Sequence, residues 1–181
     1  MKYEDEILNF EMPAIAHKHD AIAFIHEMVS VCENLNGTGG LDEAETYEGW
    51  LEDSKRINSM AFDGYESKSW VPAVTFFAVR KTDNKIVGMV NIRKNLSRIL
   101  DEKQAGNIGY STRPGERRKG YAKRIMKFAM DYCREVLGLK IVRAGCNELN
   151  IGSKKTIESA NLKLIARRKA IISHLYYEWK E

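Results

Sequence analysis

RPGERRKGYA, Arg113 to Ala122, is the stretch whose reading decides the fold. Glu116, Arg117, Arg118 and Lys119 lie between Gly115 and Gly120, just behind a proline turn. Downstream, Ala122, Ile125, Met126, Ala129, Cys133, Val136 and Leu137 recur at helical spacing. That stripe predicts a helix over Gly120–Leu137, closed by Gly138. Upstream, NIGYSTRP reads as a strand stopped by Pro114.

A strand that feeds a helix through a tight loop leaves backbone N–H groups unpaired at the helix start. Together with the positive end of the helix dipole they form an anion site. Gly120 lets a phosphate approach where a Cβ would obstruct it. Arg117, Arg118, Lys119 and Lys123 add positive charge, and the amides from Arg117 to Ala122 suit a pyrophosphate. A purely structural helix start would favour Asp or Glu, because each basic residue opposes the dipole by about 0.3–1 kcal/mol. Glu116 is the only acid near this start. Neither G-x-x-x-x-G-K-[ST] nor G-x-G-x-x-G is present, so the loop is neither a P-loop nor a dinucleotide fingerprint. A nucleic-acid patch is disfavoured: Tyr121 is the lone aromatic, and Glu116 and Asp131 dilute the charge.

The remaining chain supplies a frame for this loop. DAIAFIHEMVSVCENL (20–35) predicts a helix with Ile22, Ile25, Val29 and Cys32 on one face, widened by Ala21, Phe24 and Met28. Asp20 is its expected cap, and NGTGG (36–40) is a loop. A second helix is expected over about 42–60, marked by Tyr47, Leu51, Ile57 and Trp50. VPAVTFFAVR and KIVGMVNIR predict two strands joined by a TDNK turn. NLSRILDEKQAG suits a short helical turn, KIVRAGC a strand, and NIGSKKTIESA a short helix capped by Asn150. The tail suggests two last strands with a turn at Arg167–Lys169. This order describes a single α/β or α+β domain over residues 1–181 with a mixed, mostly antiparallel sheet flanked by helices.

Composition sets bounds. A net charge of +4 over 181 residues suits an anionic ligand and falls short of a nucleic-acid signature. Cys32, Cys133 and Cys146 are widely spaced, as expected of reduced, buried thiols in a cytoplasmic protein. His17 and His19 lack further residues at metal-ligand spacing, so no metal is expected. The acidic N-terminus does not read as a signal peptide, and the longest apolar run is too short to span a bilayer.

Arg117-Arg118-Lys119-Gly120-Tyr121-Ala122 matches the [QR]-x-x-G-x-[GA] signature of the GNAT superfamily of N-acetyltransferases. IGYSTRP resembles that family's fourth strand, and Asn150 with Ser153 its N-x-x-[AS] helix start. The resemblance is strong from about Trp70 to Leu164, where the chain is similar to a bacterial subgroup known only as predicted acetyltransferases. It implies an acyl-CoA N-acyltransferase fold with splayed central strands, and acetyl-CoA as acyl donor to an amine acceptor. The pyrophosphate of CoA would lie on the amides of Arg117, Arg118, Lys119, Gly120, Tyr121 and Ala122. Backbone groups of Tyr110, Ser111 and Thr112 would pair with the pantetheine arm, and Asn150 and Ser153 would line its far side. A neutral amine would attack the thioester directly, helped by proximity and by a backbone N–H near Tyr110. The family's pairing habit also suggests a homodimer; no membrane or nucleic-acid partner is expected.

Two departures bear on catalysis. The family's general-acid tyrosine position holds Ile157, and its Gly-Phe pair is Asn161-Leu162. Tyr110, Tyr176 and Tyr177 are the alternatives for the acid, and Glu148, with Asn107 nearby, is the candidate base. Ile157 also motivates a rival reading, a CoA-binding sensor without turnover. The helices at 22–60 are expected to shape the acceptor pocket. Glu27, Glu33, Asp42, Glu43, Glu45, Glu48 and Trp50 would there make walls suited to a cationic amine, unless the acids are solvated helix faces.

Overall fold

The computed structural model describes residues 1–31 and 35–181. Cys32 and Glu33 lie outside the described residues. In chain order the elements are β1 (Leu8–Glu11), α1 (Lys18–Ser30), α2 (Tyr47–Ser59), β2 (Ala73–Arg80), β3 (Ile86–Arg93), α3 (Arg98–Glu102) and β4 (Ile108–Thr112). There follow α4 (Tyr121–Asp131), β5 (Ile141–Asn147), α5 (Ile151–Ser159), β6 (Lys163–Arg168) and β7 (His174–Lys180).

The strands form two antiparallel sheets, ordered β1-β2-β3-β4 and β5-β7-β6. The expected sheet is thus split where β4 meets β5. β2 explains its own unbroken apolar run. Phe76 and Ala78 face one core, which contains α4, while Phe77 and Val79 face a second core under α1 and α2. A strand buried on both faces needs no alternation.

Several sequence expectations change in detail. β1 was not expected: only Leu8 and Phe10 alternate inward, too short a pattern without its partner β2. α1 buries Ala21, Phe24 and Met28, while Val29 is exposed. Ile22 and Ile25 flank these residues, half-buried against the same core, so among the described residues the expected face fails only at Val29. Asp20 is not the cap, since it lies in the first turn of α1. Its carboxylate instead accepts from Ile86 N at 2.5 Å and Arg113 Nη1 at 2.8 Å, tying α1 to the sheet. α2 starts later than expected, at a Thr46 cap whose side chain accepts from Gly49 N at 3.1 Å. α4 runs into a wider π-type turn at Tyr132–Val136, which buries Tyr132 and exposes Val136. The last hairpin turns after Arg168, because Arg167 and Arg168 still pair with β7.

Candidate acyl-CoA site

The two sheets meet at Asn107. Its N–H donates to Arg143 O at 2.6 Å, and its Oδ1 accepts from Arg143 N at 2.9 Å. Its carbonyl also accepts from Arg93 N at 2.8 Å. Asn107 is buried and works as a rivet between β4 and β5. Beyond this rivet β4 pairs with β3 alone, and among the described residues no ladder joins it to β5. One edge of β4 at Tyr110–Thr112 thus carries no paired strand among the described residues, where the two sheets part.

The two faces of β4 do different work. Ser111 turns to the α1 side, where its hydroxyl donates to Asn36 O and accepts from Asn36 N at 3.3 Å. Gly37 can sit there because a Cβ would lie 2.5 Å from Gly109 O and Tyr110 Cα. Ser111 therefore anchors the 36–40 loop with its side chain and offers only backbone to a ligand. Tyr110 turns to the other face, and its hydroxyl lies 3.1 Å from Ser153 Oγ on α5. Burial raises the Tyr110 phenol above its ordinary 10.0, while the Ser153 hydrogen bond partly opposes it. Thr112 Oγ1 is covered and has no hydrogen-bond partner among the described residues.

The loop from Arg117 to Gly120 is built on two left-handed residues, Arg118 at φ 66° and Gly120 at φ 86°. Gly120 directly precedes α4, and a Cβ there would meet nothing within 4 Å. Among the described residues the amides of Arg118, Lys119, Gly120, Tyr121, Ala122 and Lys123 donate to no protein group. The first turn of α4 contains no acid. Six free donors, an open glycine and a helix start without an acid are the features that could hold a pyrophosphate.

Glu116, the acid nearest the loop, is shared among three cations, one of them Lys119 of the loop itself. Its Oε2 is 2.8 Å from both Arg80 Nη1 and Lys119 Nζ, and its Oε1 is 3.6 Å from Lys85 Nζ. The hydrogen bond from Lys119, followed by that from Arg80, lowers the Glu116 carboxyl below its ordinary 4.5. Lys119 is thus partly occupied, and the Arg117 Nε–H donates to Thr112 O at 3.3 Å. Tyr121 points its ring into the core, and its hydroxyl accepts from Arg80 Nη1 at 3.2 Å, leaving only its amide to the loop. Sequence reasoning missed Arg113, which stands behind the loop fully buried. Its guanidinium lies 2.8 Å from Asp20 Oδ1 and 3.1 Å from Glu27 Oε2.

Across the gap, Asn150 caps α5, its Oδ1 accepting from Ser153 N at 2.9 Å. Ile157 belongs to the core, and Asn161 adopts φ 63°, taking the left-handed turn for which the family pattern has glycine. Tyr176 and Tyr177 are buried, and their hydroxyls donate to Asp101 and Glu158 at 2.7 and 3.3 Å. Of the three tyrosines only Tyr110 meets the start of α5 through its hydroxyl. Glu148 follows β5 and pairs with Arg167 on β6. Cys133 and Cys146 are free, buried thiols, and burial pushes Cys133 up to about 12 and raises Cys146 as well.

Among the described residues, the acids expected at the acceptor wall mostly have local partners or are exposed. Glu27 faces Arg113, Glu48 pairs with Lys18 at 2.6 Å, Asp42 accepts from Thr38, and Glu43 and Glu45 are exposed. Trp50 is a core residue whose Nε1–H donates to Gly39 O at 2.9 Å. His17 uses both ring nitrogens locally, at Glu11 and at the Ala14 amide.

Residues 41–160 match the family model described as the acetyltransferase (GNAT) family. The chain belongs to this GNAT acetyltransferase family, whose acyl donor is acetyl-CoA. No curated protein matches the chain. Among solved structures it is similar to a ribosomal-protein-S5-alanine acetyltransferase from Vibrio fischeri, with a TM-score of 0.71 and 17% identity over 99% of this chain and 96% of that one. It is also similar to a GNAT-family acetyltransferase from Bacillus anthracis, at TM-score 0.65 and 16% identity over 99% and 98%. A third is the microcin C7 self-immunity acetyltransferase MccE in complex with acetyl-CoA and AMP, at TM-score 0.66 and 16% identity over 98% and 94%. At these identities the likeness shows the fold. Among the described residues no helix is long and apolar enough to cross a membrane.

Proposed function

We propose that this chain is an N-acetyltransferase, acting as one domain, that moves the acetyl group of acetyl-CoA to a primary amine by direct attack. The observation that carries this reading is the run of free amides around left-handed Gly120, set beside the unpaired edge of β4. Bound acetyl-CoA supplies an activated thioester. The amides from Arg118 to Lys123, with Arg117 and Lys119 beside them, hold its pyrophosphate. The β4 backbone at Tyr110, Ser111 and Thr112 orients the pantetheine arm as an added strand. Asn107 keeps the gap between β4 and β5 open at a fixed width.

We assign the role of acid to the Tyr110 hydroxyl. It reaches the start of α5 beside Ser153, and a phenol, here raised above its ordinary 10.0 by burial, is protonated through the neutral range. Ile157, by contrast, has no proton to give and is core. Glu148 is engaged by Arg167, so the amine's proton is left to water rather than to this carboxylate. Proximity supplies much of the acceleration, since no covalent enzyme intermediate is needed. The MccE complex supports the donor assignment, as that neighbour holds acetyl-CoA on the same fold.

The test is a screen of primary amines with free thiol release as readout, alongside calorimetric titration with acetyl-CoA. Binding with turnover on any amine supports the proposal, and absence of binding overturns it. Ile157 in the core favours one second reading, a CoA-binding module without turnover. Binding with no thiol release across the whole amine panel selects that reading.

A further inference from the structure

From Ser159 to Tyr177 the chain has no acid and four cations, Lys163, Arg167, Arg168 and Lys169. β6 lies within this stretch, at the edge of its sheet. It pairs with β7 on one side, and among the described residues its other backbone edge makes no hydrogen bond. Both faces of β6 are solvent-accessible over most of its length. Beside the cations stand exposed aliphatic side chains: Leu164 and Ile165 on the strand, Ile171 and Ile172 on the turn that follows. Ile171 is fully exposed.

We infer that the β6 edge is a docking strand for an extended acidic segment of a partner polypeptide, carrying aliphatic residues between its carboxylates. Three observations select this occupant. A free strand edge offers its N–H and C=O groups to another extended chain. The cations set the sign of the partner, and Arg167 already seats one carboxylate, that of Glu148. The four aliphatic side chains set its other character, because soluble surfaces seldom cluster them without use.

Other occupants fit less well. Cations on an edge strand also guard against self-pairing, but that role does not call for Leu164, Ile165, Ile171 and Ile172 beside them. A second copy pairing edge to edge would bring two sets of Lys163, Arg168 and Lys169 together. A single-stranded nucleic acid wants stacking aromatics, and Tyr176 and Tyr177 are buried. The inference does not depend on acyl transfer, since the edge lies outside the Gly120 loop and the β4 gap.

The experiment uses the full chain and fluorescein-labelled nonapeptides in which Glu alternates with Val, Ile or Leu, read by fluorescence anisotropy. Saturable binding is expected for members of this set. The Arg168→Glu/Lys169→Glu variant should weaken it by about tenfold or more. Ile171→Ser should weaken it too, and N-methylation of alternate peptide amides should abolish it. Acetyl-CoA binding by these variants should match the parent, which separates this result from any failure of the acyl-CoA site. Several results would overturn the inference: no binding by any peptide, equal binding by the variants, or equal binding of the N-methylated peptide. Phosphatidylserine vesicles or RNA that bind in a variant-sensitive way, where the peptides do not, would also overturn it.

Discussion

Asn107 grips Arg143 twice across the junction of the two sheets, donating its amide to Arg143 O at 2.6 Å and accepting Arg143 N on Oδ1 at 2.9 Å. Two bonds from one buried residue fix where β4 and β5 part. Asn107→Ala leaves the Arg143 amide without its side-chain acceptor. We expect a loss of about 1–3 kcal/mol in denaturant unfolding. We also expect weaker acetyl-CoA binding by calorimetry, although Asn107 is placed away from the Gly120 loop. Unchanged affinity in a stably folded variant would show that the rivet does not set the width of the gap.

Gly120→Glu puts a side chain and a negative charge into the open face of the loop. CoA binding should vanish. The left-handed φ of 86° adds a backbone cost of about 1–2 kcal/mol. Gly120→Asn, which tolerates that conformation, should fold more nearly like the parent and bind CoA more weakly. Titration of both variants with CoA, next to thermal melts, separates loss of site from loss of fold.

Glu116 predicts a pH dependence of stability. Its carboxyl is held below the ordinary 4.5, chiefly by Lys119 and then by Arg80. A folded-state value below the unfolded one stabilises the fold above pH 4.5, and that stabilisation is lost as pH falls through the folded value. Glu116→Gln should therefore be less stable than the parent at neutral pH, and the two unfolding curves should converge in acid. Parallel curves from pH 7 to pH 3 would contradict the ion-pair account.

Tyr110→Phe removes the hydroxyl beside Ser153 and little volume. With an amine found by the screen, kcat should fall by about a hundredfold, with the KM for acetyl-CoA nearly unchanged. Because burial raises this phenol above 10.0, the parent's alkaline loss of rate should lie above that pH and be missing from the variant. An unaltered kcat would remove Tyr110 from the chemistry.

Arg113→Ala deletes a fully buried cation held by Asp20 and Glu27. The expected loss is about 1–3 kcal/mol, from the hydrogen bonds to Asp20 and Ile86 O, since the two carboxylates left behind are partly solvated. Pairing it with Asp20→Asn in a double-mutant cycle should recover part of that loss. Additive losses would mean the two residues are not coupled.

Much of the frame is legible in the residues. The TDNK hairpin, the strand before Pro114, the helix after Gly120 and the Asn150 cap each rest on local chemistry within a few positions. β1 was not legible, because two inward residues become a strand only when β2 offers its edge. The edge of the inner face of α1 was not legible for a related reason. Val29 is as apolar as Ile22 and Ile25, yet those two pack against the core with Ala21, Phe24 and Met28 while Val29 is left exposed, because the sheet beneath decides how far the covered face extends.

The candidate site divides in the same way. By itself the sequence determines the Gly120 loop, its positive charge and the helix start for which we propose the pyrophosphate, because these depend on backbone chemistry over ten residues. Only the tertiary structure decides how the long-range polar groups are paired. Glu116 goes to Arg80, Glu148 to Arg167, Asn107 to Arg143 and Tyr110 to Ser153, over separations of 36, 19, 36 and 43 residues. A carboxylate, amide or phenol has the same chemistry wherever it stands in a sequence. Its role is set by the partner that the folded chain brings within 3 Å or so, and composition and spacing say nothing about that partner.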